Sequence, residues 1–160
     1  MFHVVLYEPE IPPNTGNIIR LCANAGCTLH LIEPLGFEPD DKQLRRAGLD
    51  YRDWARVFRY PDYAAFLDNI RIGRLYTLST RNETLYTIPR YFPGDAFMFG
   101  PETRGLSSEI RVSVPSHQRI TLPMVPGNRS LNLANTVSIV IYEAWRQQNF
   151  AKEPVEPGES

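Results

Sequence analysis

Residues 4–32, VVLYEPEIPPNTGNIIRLCANAGCTLHLI, decide the fold class. Val4 to Tyr7 and Thr28 to Ile32 are short runs rich in β-branched and apolar residues, which is the composition of strands. Between them Asn14 is placed to cap a helix whose apolar positions Ile18, Leu21, Cys22 and Ala25 recur at helical spacing, and Gly26 is placed to stop it. The stretch therefore reads as strand, helix, strand, the unit from which parallel sheets are built.

The same alternation continues outward from it. Ala55 to Tyr60 is a third strand candidate, and Pro61-Asp62 opens a helical pattern through Tyr63, Phe66 and Leu67. Strand candidates follow at Leu75 to Ser79 and Ala96 to Phe99, a short helix begins at Ser107 and Ser108, and Arg119 to Leu122 is a last strand. Alternation of this kind gives an α/β fold, a mostly parallel sheet with helices on both faces. The final helical stretch, Ser130 to Gln147, has Leu131, Leu133, Ala134, Val137, Ile139, Val140, Ile141, Ala144 and Trp145 and almost no polar face. Such a helix must be covered on all sides, either by a partner subunit or by a central place in the core.

A chain of 160 residues suits one domain, here 1–150. The stretch 151–160, which ends Glu153-Pro154-Val155-Glu156-Pro157-Gly158-Glu159-Ser160, has too little to bury and is expected to be a disordered acidic tail. Hydrophobic residues at 42% and charged residues at 22% are ordinary values for a globular protein. Met1 to Tyr7 lacks the basic start and cleavage site of a signal peptide, and the longest apolar stretch, Val137 to Ala144, is too short to span a membrane. A cytoplasmic location without membrane contact follows as an expectation. Cys22 and Cys27 have neither CxxC spacing nor a nearby histidine, so they read as core thiols and no metal site is expected.

A net charge of −1 argues against coating of nucleic acid by charge alone, so an RNA contact would have to be local, and no DNA partner is expected. Arginine supplies 15 of the 17 basic residues. That bias suits bidentate phosphate recognition; a GC-rich genome would produce it as well.

Three loops each join a strand end to a turn rich in Gly, Pro or Asn, where α/β proteins place ligands. The first is Pro9 to Arg20, in which prolines fix the loop, Gly16 permits close backbone approach, and the helix start offers N–H groups to an anion. The second, Phe99 to Leu106, brackets the carboxylate of Glu102 with Gly100, Pro101 and Gly105. The third runs from Leu122 to Asn132. Any one of them could be merely structural, because Gly, Pro and Asn are the usual turn formers.

Together, Asn14-x-Gly16-Asn17-x-x-Arg20, Gly100-Pro101-Glu102-x-x-Gly105 and Ser130-Leu131-Asn132 resemble the three signature motifs of the SpoU branch of the SPOUT RNA methyltransferases. Outside the motifs, Leu6 to Asn17, Asp40-Asp41-Lys42, Leu44 to Tyr51 and Tyr142 to Gln147 resemble the minimal YibK or TrmL group of that branch, so the likeness covers nearly all of the chain except the tail. The resemblance implies a homodimer whose C-terminal region passes through a loop to form a deep trefoil knot that cradles S-adenosylmethionine. Periodicity alone gives no such knot, since threaded chains are rare exceptions. The group's activity is 2′-O-methylation of the wobble nucleotide of tRNA, cytidine or a modified uridine, in leucine tRNAs. A ribosomal RNA 2′-O-methyltransferase and a noncatalytic RNA-binding domain are the competing readings.

Carried over by motif position, the resemblance implies catalytic or site-shaping roles for Arg20, Asn14, Glu102 and Asn132, and cofactor contacts at Leu78, Gly100, Leu122 and Ser130. It also implies Arg20 as general base. A guanidinium stays protonated in proteins, so the chemistry favours Arg20 holding a phosphate and stabilising alkoxide charge while water or phosphate takes the proton. Glu102 has two open roles, anchoring Arg20 or anchoring substrate. For RNA contact, Lys42, Arg45, Arg46 and Tyr51 combine phosphate donors with an aromatic surface, and Arg129 adds a cation in the third loop. The alternative for the 42–51 stretch is a solvated amphipathic helix.

Overall fold

The computed structural model describes residues 1–152. Seven strands form one parallel sheet: β1 (His3–Tyr7), β2 (Thr28–Ile32), β3 (Val57–Tyr60), β4 (Leu75–Leu78), β5 (Thr84–Leu85), β6 (Ala96–Phe99) and β7 (Arg119–Thr121), in the order β3-β2-β1-β6-β4-β7-β5. Helices α1 (Pro12–Ala25), α2 (Lys42–Arg45), α3 (Tyr63–Asn69), α4 (Ser108–Arg111) and α5 (Leu133–Gln147) connect or follow the strands, with a single 3-10 turn at Ser116–Gln118 before β7.

Side chains alternate across a strand, and here each side meets helices. Val4, Leu6, Phe97 and Phe99 face one core with Ile18, Ile19 and Cys22 of α1 and Val137, Val140 and Ile141 of α5. Val5, Ala96 and Met98 face the other, against Phe66 of α3, with Leu106 and Val114 beside it. Cover on both faces explains why β4 and β6 are buried throughout. One polar chain crosses the interior: His30 is fully buried, with its Nε2 3.0 Å from His3 Nδ1 and its Nδ1 3.0 Å from the Tyr60 hydroxyl. Burial, with His3 adding to it, pushes the His30 pKa down to about 3, so the ring is neutral and structural.

Three expectations need correction. Asn14 does not cap α1; Ile11 holds the cap position and Pro12 and Pro13 start the helix, since proline needs no hydrogen-bond acceptor there and its φ is already helical. Asn14 is thereby buried in the first turn, with its side chain free for other work. Gly26 does end the helix, in the left-handed conformation. Secondly, α5 begins at Leu133 and not at Ser130, because Asn132 takes the cap position and its Oδ1 accepts from the N–H groups of Ala134 and Asn135. Thirdly, α5 is not buried all round within one chain: Val137, Val140, Ile141 and Ala144 are inside, while Ile139 and Tyr142 are exposed. The short strand β5 and the 3-10 turn had no periodicity to announce them. Of the tail expected over 151–160, residues from 153 onward lie outside the described ones; the carbonyl of Ala151 accepts from Trp145 Nε1.

Candidate active site

The strand order reverses beside β1, whose neighbours are β2 on one side and β6 on the other. A cavity of about 460 Å³ lies at the carboxyl ends of β4, β6 and β7, within the ordinary range for a small-molecule site. Leu78 and Ser79 at the end of β4, Phe99 to Leu106 after β6, and Thr121, Leu122 and Met124 after β7 form its walls, and Asn14, Ser130 and Asn132 close it.

The hydrogen bonds that join the first two loops run in both directions. The Glu102 carboxylate accepts from the backbone N–H groups of Glu10 and Ile11, and the Glu10 carboxylate accepts from Thr103 N at 3.0 Å and Thr103 Oγ1 at 2.8 Å. Glu8 adds an ion pair with Arg104 at 2.6 Å. The Thr103 bonds hold the Glu10 carboxyl below its ordinary pKa. Register makes this possible, because Leu6 pairs with Phe99 and the two chains leave the sheet side by side. Of the two roles expected of Glu102, a bond to Arg20 is not made, and the carboxylate is given to backbone instead. It anchors the entry to α1, meeting N–H groups that a helix start leaves unpaired.

The third loop is tied to the first by one bond, Asn132 Nδ2 to Asn14 Oδ1 at 2.9 Å. The same Asn132 side chain caps α5, so the start of α1 and the start of α5 are fixed against each other. Gly100 sets the depth of the second loop. A Cβ there would lie 2.3 Å from Leu106 N and 2.4 Å from the Gly105 carbonyl carbon, so only glycine lets this loop fold back on itself.

Of the residues expected from the sequence, Asn14, Glu102, Asn132, Leu78, Gly100, Leu122 and Ser130 all line the cavity. Arg20 does not. It is six residues beyond Asn14, about 1.7 helical turns, so it points to another side of α1. There it is exposed, with Nη1 3.4 Å from the Ala47 carbonyl. Lys42, Arg45 and Arg46 lie on and just after α2, where Arg45 is exposed; Tyr51 is 79% exposed, and Arg129 is exposed in the third loop. None of them lines the cavity. The α2 segment packs tightly on α1 all the same, since a Cβ on Gly16 would lie 2.8 Å from Ala47 Cβ.

Sequence reading missed the roles of Glu8, Glu10, Thr103 and Arg104. Their signal was charge complementarity between two loops that follow adjacent strands, visible only once β1 and β6 are known to pair. It also missed Asn82, buried behind the cavity, whose Nδ2 donates to the carbonyls of Thr77 and Ile120 at 3.0 Å each and so ties the end of β4 to β7.

Residues 1–142 match the family model of the SpoU rRNA methylases. A relative from Escherichia coli strain K12, named tRNA (cytidine(34)-2′-O)-methyltransferase, is 57% identical over 150 residues, which is 94% of this chain and 96% of that protein. This chain belongs to the SpoU methylase family. A solved structure described as "Structural insights into the 2-OH methylation of C/U34 on tRNA" superposes with a TM-score of 0.86 at 42% identity, covering 94% of this chain and 98% of that one. The SpoU methyltransferase AviRb of Streptomyces viridochromogenes, solved in complex with AdoMet, shares the fold at 23% identity and a TM-score of 0.78, over 93% of this chain and 61% of that one.

The cavity suits the methyl donor that SpoU methylases use. Leu78, Phe99, Leu106 and Leu122 give apolar walls, Ser79, Ser130 and Thr136 give hydroxyls, and Gly100 brings bare backbone to the edge. Small-molecule sites combine apolar walls with a few convergent polar groups in this way. No group of three or more His, Cys, Asp or Glu able to hold a metal occurs among the described residues, and no helix there is long and apolar enough to cross a membrane.

Proposed function

We propose that the protein transfers a methyl group from S-adenosylmethionine to the ribose 2′-hydroxyl of nucleotide 34 of tRNA, a cytidine or a modified uridine, with leucine tRNAs as substrates. One observation carries this reading: seven of the eight residues assigned to catalysis and cofactor binding converge on one cavity, in a chain matched almost end to end by a relative named for that reaction.

The cofactor supplies a methyl group activated on a sulfonium sulfur, held by Leu78, Gly100, Leu122 and Ser130. The chain's own task is to bring a weakly acidic hydroxyl into line, and positioning of this kind can lower a barrier by roughly 7–11 kcal/mol. Asn14 and Asn132 suit it, being hydrogen-bonded to each other, rigidly placed, and uncharged. Arg20, held outside the cavity near the Ala47 carbonyl, binds a neighbouring phosphate of the RNA, and the proton passes to water or phosphate. Its position outside the cavity agrees with a partner as large as RNA, which can touch both. Glu102 is a positioning residue on this account, because it holds the loop that carries Asn14.

Two further features belong to the proposal. A second copy of the chain covers the apolar side of α5 left open at Ile139 and Tyr142, giving a homodimer. The chain between β7 and α5 passes through the loops around the cavity as the trefoil knot of its family, and the enzyme works in the cytoplasm. Mass spectrometry of RNA from cells with and without the gene tests the function. Loss of a 2′-O-methyl group at nucleotide 34 of tRNA is expected; loss of such a mark from ribosomal RNA with tRNA unchanged would overturn the reading.

A further inference from the structure

The cavity lining carries one cation without a partner among the described residues. Of the charged side chains that line it, Glu102 is saturated by the N–H groups of Glu10 and Ile11, and Arg104 is paired with Glu8. Arg81 remains. Its side chain is exposed, and its guanidinium has no hydrogen bond or ion pair among the described residues.

The backbone beneath that side chain is held on both sides. Ser79 Oγ accepts from Arg81 N at 3.1 Å, and Asn82 N donates to the Ser79 carbonyl at 3.2 Å. Asn82, the next residue, is buried and spends both amide hydrogens on Thr77 and Ile120, while its Oδ1 accepts from Arg111 Nη1 at 3.2 Å. The turn from Ser79 to Asn82 is therefore a fixed mount at the end of β4 that presents an exposed cation at the cavity mouth. A cation so placed costs little in water and gains most from an anion that docks on the same rim.

We infer that Arg81 is an RNA-binding residue that grips a backbone phosphate next to the nucleotide being methylated, a role distinct from that of the basic segment on α2. The inference rests on the RNA methyltransferase reading above. An RNA strand offers an anion at each nucleotide, and one must lie near the cavity mouth if its neighbouring ribose enters. The cofactor offers an anion too, in its methionine carboxylate. Exposure favours the strand, because Arg81 is exposed while Phe99 and Leu106, which line the same cavity, are buried.

The test uses the full chain, unmodified tRNA with cytidine 34, and two variants, Arg81→Gln and Arg81→Lys. Affinity for tRNA is measured over a series of salt concentrations, affinity for S-adenosylmethionine by calorimetry, and folding by the melting temperature. Arg81→Gln is expected to flatten the log–log salt dependence by about 0.7, the value for one phosphate of a single strand. Arg81→Lys is expected to keep the wild-type slope, and both are expected to keep cofactor affinity and melting temperature. An unchanged slope in Arg81→Gln overturns the inference. So does a loss of cofactor affinity with the slope intact, which would assign Arg81 to the methionine carboxylate. If wild type leaves nucleotide 34 unmethylated, the RNA methyltransferase reading fails; if wild type methylates it and Arg81→Gln matches wild type, only the role of Arg81 fails.

Discussion

The cavity and the α2 segment lie on different sides of helix α1 and are built on different principles. Around the cavity, partners come from far apart in sequence: Glu102 with Glu10, Asn132 with Asn14, Thr103 with Glu10. Between residues 40 and 53 they are local. Arg45 Nε donates to the Asp40 carbonyl at 2.9 Å, Gln43 N donates to Asp41, and Asp50 accepts from the N–H groups of Arg52 and Asp53. Long-range bonds hold distant loops in one geometry and suit chemistry. Local turns with exposed cations suit a surface that meets a large, charged partner, where phosphate contacts set position. Helix α1 joins the two, with Asn14 in one region and Arg20 against the other.

Arg20 is where this division can be broken most forcefully. If it positions the RNA from the α2 side, Arg20→Ala is expected to lower methyl transfer by about 10²-fold, the scale of misplacing a reacting group by about 1 Å. Affinity for S-adenosylmethionine is expected to stay as it is, since Arg20 does not line the cavity. Calorimetry and a transfer assay on one preparation decide it. Equal loss of both would mean that the two regions share a single site.

Gly100→Ala sharpens the comparison from the cavity side. The added methyl has backbone of Leu106 and Gly105 within 2.4 Å, and backbone cannot turn aside as a side chain can. Overpacking of this kind costs roughly 1–3 kcal/mol. Falling on the loop that forms the cavity wall, that cost is expected to weaken cofactor binding by about 10- to 100-fold, since each 1.4 kcal/mol is tenfold. Binding of tRNA at the α2 surface is expected to change far less. Parallel losses in both measurements would show that tRNA binding depends on the cavity loop.

The contrast also explains how much can be read from sequence. Strands β1, β2 and β6 and helices α1 and α3 declare themselves by composition, period and punctuation, so the parallel α/β fold is legible from residues 4–32 outward. The cavity residues of the three loops are legible by the order and spacing of their Gly, Pro and Asn patterns taken together, whereas Leu78 lies in a segment with no motif of its own. What those residues bond to is not. Glu102 gives no sign that its partners are two backbone N–H groups 91 and 92 positions away, since pairing of β1 with β6 is a long-range fact. Asn14 resembles a cap for a related reason: cap preference is a local rule, and the two prolines before it start the helix without one. The start of α5 is ambiguous to the same kind of local reading, because Ser130 and Asn132 are both good cap residues and only their geometry separates them.

The smallest effect concerns Arg45 and Arg46. Arg45 is exposed, and its ion pair with Asp40 is loose, at 3.8 Å with both side chains mostly in solvent. Such a pair contributes little to stability, so replacing both arginines with alanine is expected to leave the melting temperature and cofactor affinity unchanged. If the two side chains neutralise tRNA phosphates, the log–log salt dependence of tRNA binding is expected to flatten by about 0.7–0.9 for each phosphate no longer neutralised. Methyl transfer at saturating tRNA is expected to survive, because the cavity loops are untouched, and that survival is what separates this surface from Arg20 on the helix beside it. Matching slopes for wild type and the double variant would remove these arginines from the RNA interface, leaving the basic surface to Arg81 and the exposed Arg129. A flattened slope accompanied by failed transfer at saturation would place the segment within the catalytic geometry, carried there through Leu44 and Ala47, which pack against Gly16 about one turn before Arg20.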